Sequence, residues 1–90
     1  IISYFLDTLK THKLVSYFIE SNSAIQSCVI GGNQKVKTIS KQLQAEGFDV
    51  RAILSPTVPE GKERLRFCLH SYNTEAEISK SLSKLSKLLN

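Results

Sequence analysis

Arg66 is the residue of this sequence whose type and position best suit the binding of an anion. It lies in the middle of residues 64–70, where apolar and polar residues alternate as they do in a strand with one buried face. Because a strand holds its side chains more rigidly than a loop tip does, an arginine there can bind a carboxylate through two parallel hydrogen bonds. The same geometry would serve a salt bridge to another domain, so the strand alone leaves both roles open.

The loop before this strand carries a second candidate, the hydroxyl group of Thr57. Pro56 and Pro59 lie on either side of it, and each proline fixes its own φ and lacks a backbone N–H. Residues 55–61 are therefore predicted to form a stiff loop outside the sheet ladder. Such a loop can present Thr57 and nearby backbone groups as part of a site at one end of the sheet, or it can be a structural turn.

Length, composition and charge limit the class of protein. The chain has 90 residues, 41% of them hydrophobic, and a formal net charge of +4, which fits one small globular domain over residues 1–90. Its apolar runs are too short for a membrane-spanning helix, and no secretory signal is visible, so no membrane partner is expected. Because the chain begins with Ile1 rather than Met, we expect it to be processed or part of a longer protein.

The cysteines and histidines indicate a reduced protein without a metal. Cys28 and Cys68 lie in apolar surroundings without CxxC spacing, as free thiols of a cytoplasmic protein do. His12 and His70 are the other candidate soft ligands, and they lie far apart in the sequence. A zinc site needs three or four ligands from the protein, so no metal is expected.

The pattern of apolar residues predicts helices and strands in the order α-β-α-β-β-α. The helices are expected over residues 1 to about 20, 33 to about 47, and 74 onwards. The strands are expected over residues 24–30, 48–54 and 64–70. Residues 1–20 form a leading helix in this interpretation, and residues 21–90 form the small α/β domain proper.

Local signals set several of these boundaries. The first helix is expected to bend or break near residues 11–13, where its apolar stripe shifts. Asn33 is predicted to cap the second helix and Gly47 to end it. Thr74 and Glu77 have the spacing of a capping box at the start of the last helix.

These elements predict an α+β fold with a small three-stranded sheet and helices packed on one of its faces. The first two strands are joined through a helix, so they are expected to be parallel, with the third strand inserted between them and antiparallel to both. The opposite face of the sheet stays open in this arrangement. It is predicted to carry Arg64, Arg66, Cys68 and His70.

An open sheet face and a mildly basic chain also fit a non-enzymatic binding module for RNA or a metabolite. Sheets that bind single-stranded RNA stack bases on exposed aromatic side chains. Phe67 shares the apolar face of its strand with Leu65 and Leu69, so it is expected in the core. This pattern disfavours the RNA module, and no nucleic-acid partner is expected.

Three short motifs stand out in the sequence: S-A-I-Q at residues 23–26, G-F-D-V-R-A-I at residues 47–53, and P-T-V-P-E-G-K-E-R-L-R within residues 55–66. In this order they resemble the S-x-I-Q, G-aromatic-x-V-x-A-I and P-T-V-P-x-G-x-x-R-L-R segments of the α-oxoamine synthases. These are pyridoxal-phosphate (PLP) enzymes of the aspartate-aminotransferase fold type. The resemblance covers residues 21–90 and is greatest to the biotin-pathway branch. The branches that make 2-amino-3-oxobutyrate, 5-aminolevulinate or 3-oxosphinganine share much of the same pattern, so these products remain alternatives.

The resemblance implies a C-terminal small domain that packs on a large PLP-binding domain of the same chain, in an enzyme expected to be a homodimer. It implies that Arg66 binds the carboxylate of an amino acid, L-alanine in the biotin branch, and that Thr57 lies at the substrate site. The second substrate would be an acyl thioester, pimeloyl in that branch, condensed with loss of CO₂. The lysine that holds PLP lies in the large domain, so residues 1–90 alone are expected to bind no cofactor and to be inactive. Leu54 stands where biotin-branch members often carry an arginine, which leaves that arginine's role unfilled.

Overall fold

A computed structural model describes residues 1–89 and shows three helices and three strands. The helices are α1 (Ile2–Thr11), α2 (Asn33–Ala45) and α3 (Glu75–Leu89). The strands are β1 (Ile25–Val29), β2 (Val50–Ile53) and β3 (Arg64–Cys68). A short 3₁₀ turn covers Val15–Tyr17. None of the helices described is long and apolar enough to cross a bilayer.

The three strands form one sheet with β3 in the centre. β1 and β2 both pair with β3 in antiparallel register, so they run in the same direction as each other. Their connection passes through α2, as the sequence predicts for two parallel strands. The predicted element order and sheet topology are confirmed. β1 and β2 are shorter than predicted at both ends, and β3 begins at the predicted residue but ends earlier.

One face of the sheet is covered by the helices and forms the core. Phe67 of β3 is fully buried at its centre, with the rings of Phe5, Phe18 and Phe48 at centroid distances of 5.8, 5.6 and 5.9 Å. Tilted and edge-on ring pairs at such distances add to the stabilisation that burial provides. The burial of Phe67 confirms its predicted place in the core.

The predicted leading helix over residues 1–20 is wrong beyond Thr11. Lys13 adopts a φ of 58°, a left-handed conformation that a helix cannot continue, and the N–H of Leu14 donates back to the carbonyl of Leu9 at 2.8 Å. The break expected near residues 11–13 is confirmed. Beyond it the chain forms the 3₁₀ turn and becomes extended only at Phe18, which forms a β-bridge to Cys28 and so lies along the edge of β1.

Of the two predictions for the ends of α2, one is confirmed and one is wrong. Gly47 ends the helix as predicted, with a φ of 85° and its N–H donating to the carbonyl of Gln44 at 2.9 Å, while the N–H of Phe48 reaches Leu43 at 3.4 Å. This pair of hydrogen bonds is the Schellman motif. The predicted cap by Asn33 is wrong, because Gly32 occupies the N-cap position and no side chain caps the helix.

The predicted capping box at α3 is confirmed. The N–H of Glu77 donates to the hydroxyl oxygen of Thr74 at 3.1 Å, and the N–H of Thr74 donates to the Glu77 carboxylate at 2.7 Å. These reciprocal bonds satisfy backbone donors that the first turn would otherwise leave unpaired.

Candidate functional site

The open face of the sheet has a polar row across its middle, and the rows on either side of it are mostly apolar. Its side chains alternate with those of the core face, as the register requires. They are Ile25, Ser27 and Val29 from β1, Arg51 and Ile53 from β2, and Arg64, Arg66 and Cys68 from β3. None of these strand residues is aromatic, so the strands offer no stacking platform for unpaired bases.

Arg66 lies at the centre of this face, in a row of three cross-strand neighbours. Ser27 of β1 is its partner on one side and Arg51 of β2 is its partner on the other. The Arg66 side chain is exposed and makes no hydrogen bond or ion pair within residues 1–89. Like charges directly opposite each other in a sheet repel, so the Arg51–Arg66 pair favours a bound anion.

Arg51 has only a weak counterion. Its Nε lies 3.9 Å from Oδ1 of Asp49, and the other oxygen of that carboxylate contacts Nε2 of His70 at 2.8 Å. The His70 ring is in turn stacked on Tyr72 with a centroid distance of 4.8 Å. Asp49 is therefore shared between two partners, and the positive charge around Arg66 is only partly offset.

Thr57 is exposed in the loop between β2 and β3, as the sequence predicts. The loop carries two backbone turns of its own, from the N–H of Val58 to the carbonyl of Leu54 at 3.2 Å and from that of Lys62 to Pro59 at 2.9 Å. These two turns lie outside the sheet ladder, as predicted for this loop. The bond between Ser55 and Pro56 is cis.

A buried carboxylate fixes the end of this loop. Glu63 is 2% exposed, and its Oε1 accepts the N–H of Gly32 at 2.8 Å and the N–H of Gly61 at 2.9 Å. Its backbone carbonyl accepts the N–H groups of Ile30 and Gly31 at 3.0 and 2.9 Å. The hydrogen bond from Gly32, together with those of the Glu63 and Gly61 backbone, holds the pKa of the Glu63 carboxyl below its ordinary value, although burial opposes this.

The start of the loop is held by Asn33. Its Oδ1 accepts the N–H of Ser55 at 3.0 Å, and its Nδ2 donates to the carbonyl of Ser55 at 3.5 Å. The side chain expected to cap α2 therefore ties the loop to the start of that helix. With Glu63 at the other end, both ends of the Thr57 loop are anchored to residues 30–33, which lead from β1 into the start of α2.

The groove that Arg66 lines does not include Thr57. Arg66 lines this groove, of about 510 Å³, together with Arg51 and residues of α2. Thr57 belongs to the loop beyond the Arg64 end of β3. The role of each residue in substrate binding stays a prediction.

The roles of three residues in this region are not evident from the sequence. Arg51 lies opposite Arg66 only because of the register between β2 and β3. Glu63 and Asn33 act across 31 and 22 residues of sequence, on Gly32 and Ser55, and no local pattern predicts such contacts.

The lysines of the chain are mostly surface side chains. Eight of the nine are exposed, and the ninth, Lys84, pairs with Glu46 at 3.0 Å. A lysine that holds PLP needs neighbouring groups for the ring and the phosphate. That the chain alone binds no PLP stays a prediction.

Comparison with known proteins supports the resemblance seen in the motifs. The 8-amino-7-oxononanoate synthase of Cupriavidus taiwanensis is 42% identical over 67 residues, which cover 74% of this chain and 17% of that protein. The crystal structure of 8-amino-7-oxononanoate synthase from Francisella tularensis matches 96% of the chain with a TM-score of 0.75 and 26% identity. This chain is homologous to the 8-amino-7-oxononanoate synthases. No protein-family model matches it.

The fold recurs in a second enzyme of the same structural type. Serine palmitoyltransferase from S. paucimobilis with a bound PLP–myriocin aldimine matches 97% of the chain with a TM-score of 0.73 and 20% identity. The fold is thus that of the C-terminal small domain of these PLP enzymes, as the resemblance to the α-oxoamine synthases implies. The chain spans about a fifth of the length of the curated relatives that it matches.

Proposed function

We propose that the full-length protein containing this chain is a PLP-dependent α-oxoamine synthase of the biotin pathway. It would condense L-alanine with a pimeloyl thioester and release CO₂ in the cytoplasm. The homology to 8-amino-7-oxononanoate synthases supports the reaction type. The observation that carries the proposal is Arg66, an exposed arginine fixed mid-strand with no partner in residues 1–89 and a second arginine opposite.

Arg66 would bind the carboxylate of the amino acid through paired hydrogen bonds. A guanidinium suits this because its planar fork matches the two carboxylate oxygens, and β3 limits its motion. PLP, when bound, supplies an electron sink for the carbanion at Cα. By fixing the carboxylate, Arg66 would determine which bond to Cα is aligned for cleavage, first the C–H bond and later the bond to the carboxylate that leaves as CO₂.

Thr57 would contact a substrate from the loop beside the sheet. Its hydroxyl can donate one hydrogen bond and accept others, so it suits a carbonyl or carboxylate oxygen. The anchors at Asn33 and Glu63 support this role, because they fix both ends of the loop relative to the sheet.

The remaining parts of the site would come from outside these residues. A large domain of the same chain would supply the lysine that holds PLP, and a second copy of the protein would complete a homodimer. We propose that the 90-residue chain alone is inactive and binds no PLP, since eight of its nine lysines are exposed. Stoichiometric absorbance of PLP on the purified chain would contradict this.

The test is a steady-state assay of the full-length protein with L-alanine and pimeloyl thioester. Arg66→Ala is expected to raise KM for alanine strongly and to lower kcat, because it removes both binding and orientation. Arg64→Gln is the matched control, since Arg64 lies on the same face and its Nε already donates to the carbonyl of Lys62 at 3.1 Å. That variant should keep both constants near those of the unmodified protein.

The stability and the kinetic constants of each variant need to be measured separately. If Arg66→Ala unfolds at a lower temperature but keeps its KM for alanine, Arg66 is a packing residue between domains and the proposed role is wrong. If the unmodified protein forms no amino ketone from alanine and pimeloyl thioester, the proposed reaction is wrong.

A further inference from the structure

The carboxylate of Asp49 lies on the open face of the sheet, beside Arg66. The N–H of Cys68 donates to the carbonyl of Asp49 at 3.0 Å, so these two residues are cross-strand neighbours. Arg66 lies two residues before Cys68 in β3 and on the same face, which makes Asp49 its diagonal neighbour. Such neighbours are about 7–8 Å apart, within the reach of a long side chain. Asp49 and Arg66 are therefore placed where they could form an ion pair.

The Asp49 carboxylate binds His70 instead. Its Oδ2 lies 2.8 Å from Nε2 of His70, whereas Arg66 forms no ion pair within residues 1–89. A carboxylate only accepts hydrogen bonds, so Nε2 of His70 carries the donated proton. The 3.9 Å contact from Oδ1 to Arg51 is too long for a hydrogen bond. His70 is thus the partner that sets the direction of the Asp49 carboxylate.

His70 is itself held from two sides. Its N–H donates to Oδ1 of Asn73 at 2.7 Å, and its carbonyl accepts the N–H of Asn73 at 3.0 Å. Its ring is stacked on Tyr72 with a centroid distance of 4.8 Å and an angle of 5° between the planes. The side chains of His70 and Asp49 are each only 35% exposed. The ring is therefore fixed where it can bind Asp49, in partial shelter from water.

We propose that His70 is a positioning residue that holds the Asp49 carboxylate away from Arg66 and so keeps the Arg66 guanidinium free for a substrate. This inference rests on the proposed function, which assigns Arg66 to the carboxylate of the amino acid. That carboxylate and the carboxylate of Asp49 suit the same guanidinium, because both accept its paired N–H groups. Without His70, Asp49 would turn to Arg66, and the amino acid would have to displace it.

The first test is the steady-state kinetics of the full-length protein with L-alanine. His70→Ala is expected to raise KM for alanine roughly two- to fivefold, the effect of displacing one exposed ion pair. It should leave kcat near that of the unmodified protein, since a bound substrate has already displaced Asp49. His70→Gln keeps a donor close to the position of Nε2 and should therefore keep KM near its unmodified value.

The deciding comparison repeats His70→Ala in the Asp49→Asn background. There His70→Ala should leave KM for alanine unchanged, because the competing carboxylate is absent. A histidine that only stabilises the fold would have the same effect in both backgrounds, and that result, or no effect in either, would overturn the inference. His12→Ala is the control and should not change KM, because His12 follows α1, which packs on the opposite face of the sheet.

A crystal structure of the full-length His70→Ala variant separates this inference from the proposed reaction. A carboxylate oxygen of Asp49 should then lie within about 4 Å of a guanidinium nitrogen of Arg66, the limit for an ion pair. If it does and the protein does not act on alanine, the positioning role stands and the proposed reaction is wrong. If Arg66→Ala raises KM for alanine and Asp49 still lies away from Arg66 in this variant, the proposed function stands and the role of His70 is wrong.

Discussion

Gly31→Ala is expected to destabilise the fold more than the same change at a glycine of equal backbone conformation. Gly31 has a φ of 89°, and a Cβ added there would lie 3.2 Å from the carbonyl oxygen of Gly61. Gly47 has a φ of 85°, and a Cβ there would meet nothing within 4 Å. Left-handed backbone costs an L-residue about 1–2 kcal/mol, and both variants bear that cost.

The close contact adds a further cost to Gly31→Ala alone. Gly61 cannot move freely, because its N–H is held by Glu63 at 2.9 Å. Crowding an atom into packed surroundings costs about 1–3 kcal/mol. We therefore expect Gly47→Ala to lower the free energy of unfolding by about 1–2 kcal/mol and Gly31→Ala to lower it by about 2–5 kcal/mol. The larger loss is a substantial part of the roughly 5–15 kcal/mol that stabilises a small domain.

The measurement is urea denaturation of the purified chain, followed by circular dichroism. Gly61→Ala is a second control, since Gly61 has a φ of 89° and open space around its Cβ position. Its loss should match that of Gly47→Ala. Equal losses for all three variants would show that the contact between residues 31 and 61 contributes nothing to stability, and that Gly61 is free to move away from a side chain at residue 31.

Three further predictions concern the core, the buried acid and the thiols. Phe67→Ala should lower the free energy of unfolding, measured by urea denaturation, by about 3–5 kcal/mol, because it removes the ring at the centre of the aromatic cluster. A loss below about 1 kcal/mol would contradict the position of Phe67 in the core. The pKa of Glu63 is lowered in the folded chain, so its stabilising effect is present above its ordinary pKa of 4.5 and is lost as pH falls through the lower folded value. Glu63→Gln should therefore lower the urea midpoint at pH 7 and weaken the further loss on acidification, and an unchanged pH dependence would contradict this. Burial raises the pKa of the Cys28 thiol to about 12. Iodoacetamide at pH 8 should therefore alkylate the half-buried Cys68 and leave Cys28 unmodified until the chain is unfolded. Mass spectrometry of the two cysteine-containing peptides measures this difference.

The parts of the fold that local chemistry specifies could be predicted from the sequence. Alternation in residues 64–70 identified the central strand and its buried face, because a strand exposes every second residue to the same side. Gly47 and the Thr74–Glu77 pair marked helix ends for reasons confined to a few neighbouring residues. These predictions needed no knowledge of what else the chain contacts.

The errors arose where a tertiary contact overrides a local preference. Asn33 is a good helix cap by type, but its amide binds Ser55, which lies 22 residues away and comes close only in the folded chain. Leu14 and Phe18 keep helical spacing after Thr11 and therefore lengthened the predicted first helix. In the structure Leu14 is buried behind a left-handed residue and Phe18 bridges to β1, so their spacing reflects two separate packing contacts.

The candidate site depends on a register that Glu63 helps to fix. A shift of β3 by one residue would turn every side chain to the opposite face, which would bury Arg66 and expose Phe67. Glu63 immediately precedes β3, and its carbonyl and carboxylate together bind the N–H groups of residues 30, 31 and 32. The same carboxylate holds Gly61 at the end of the Thr57 loop. One buried acid thus ties the strand that presents Arg66 and the loop that presents Thr57 to the same backbone segment, so a change at Glu63 should disturb both residues together.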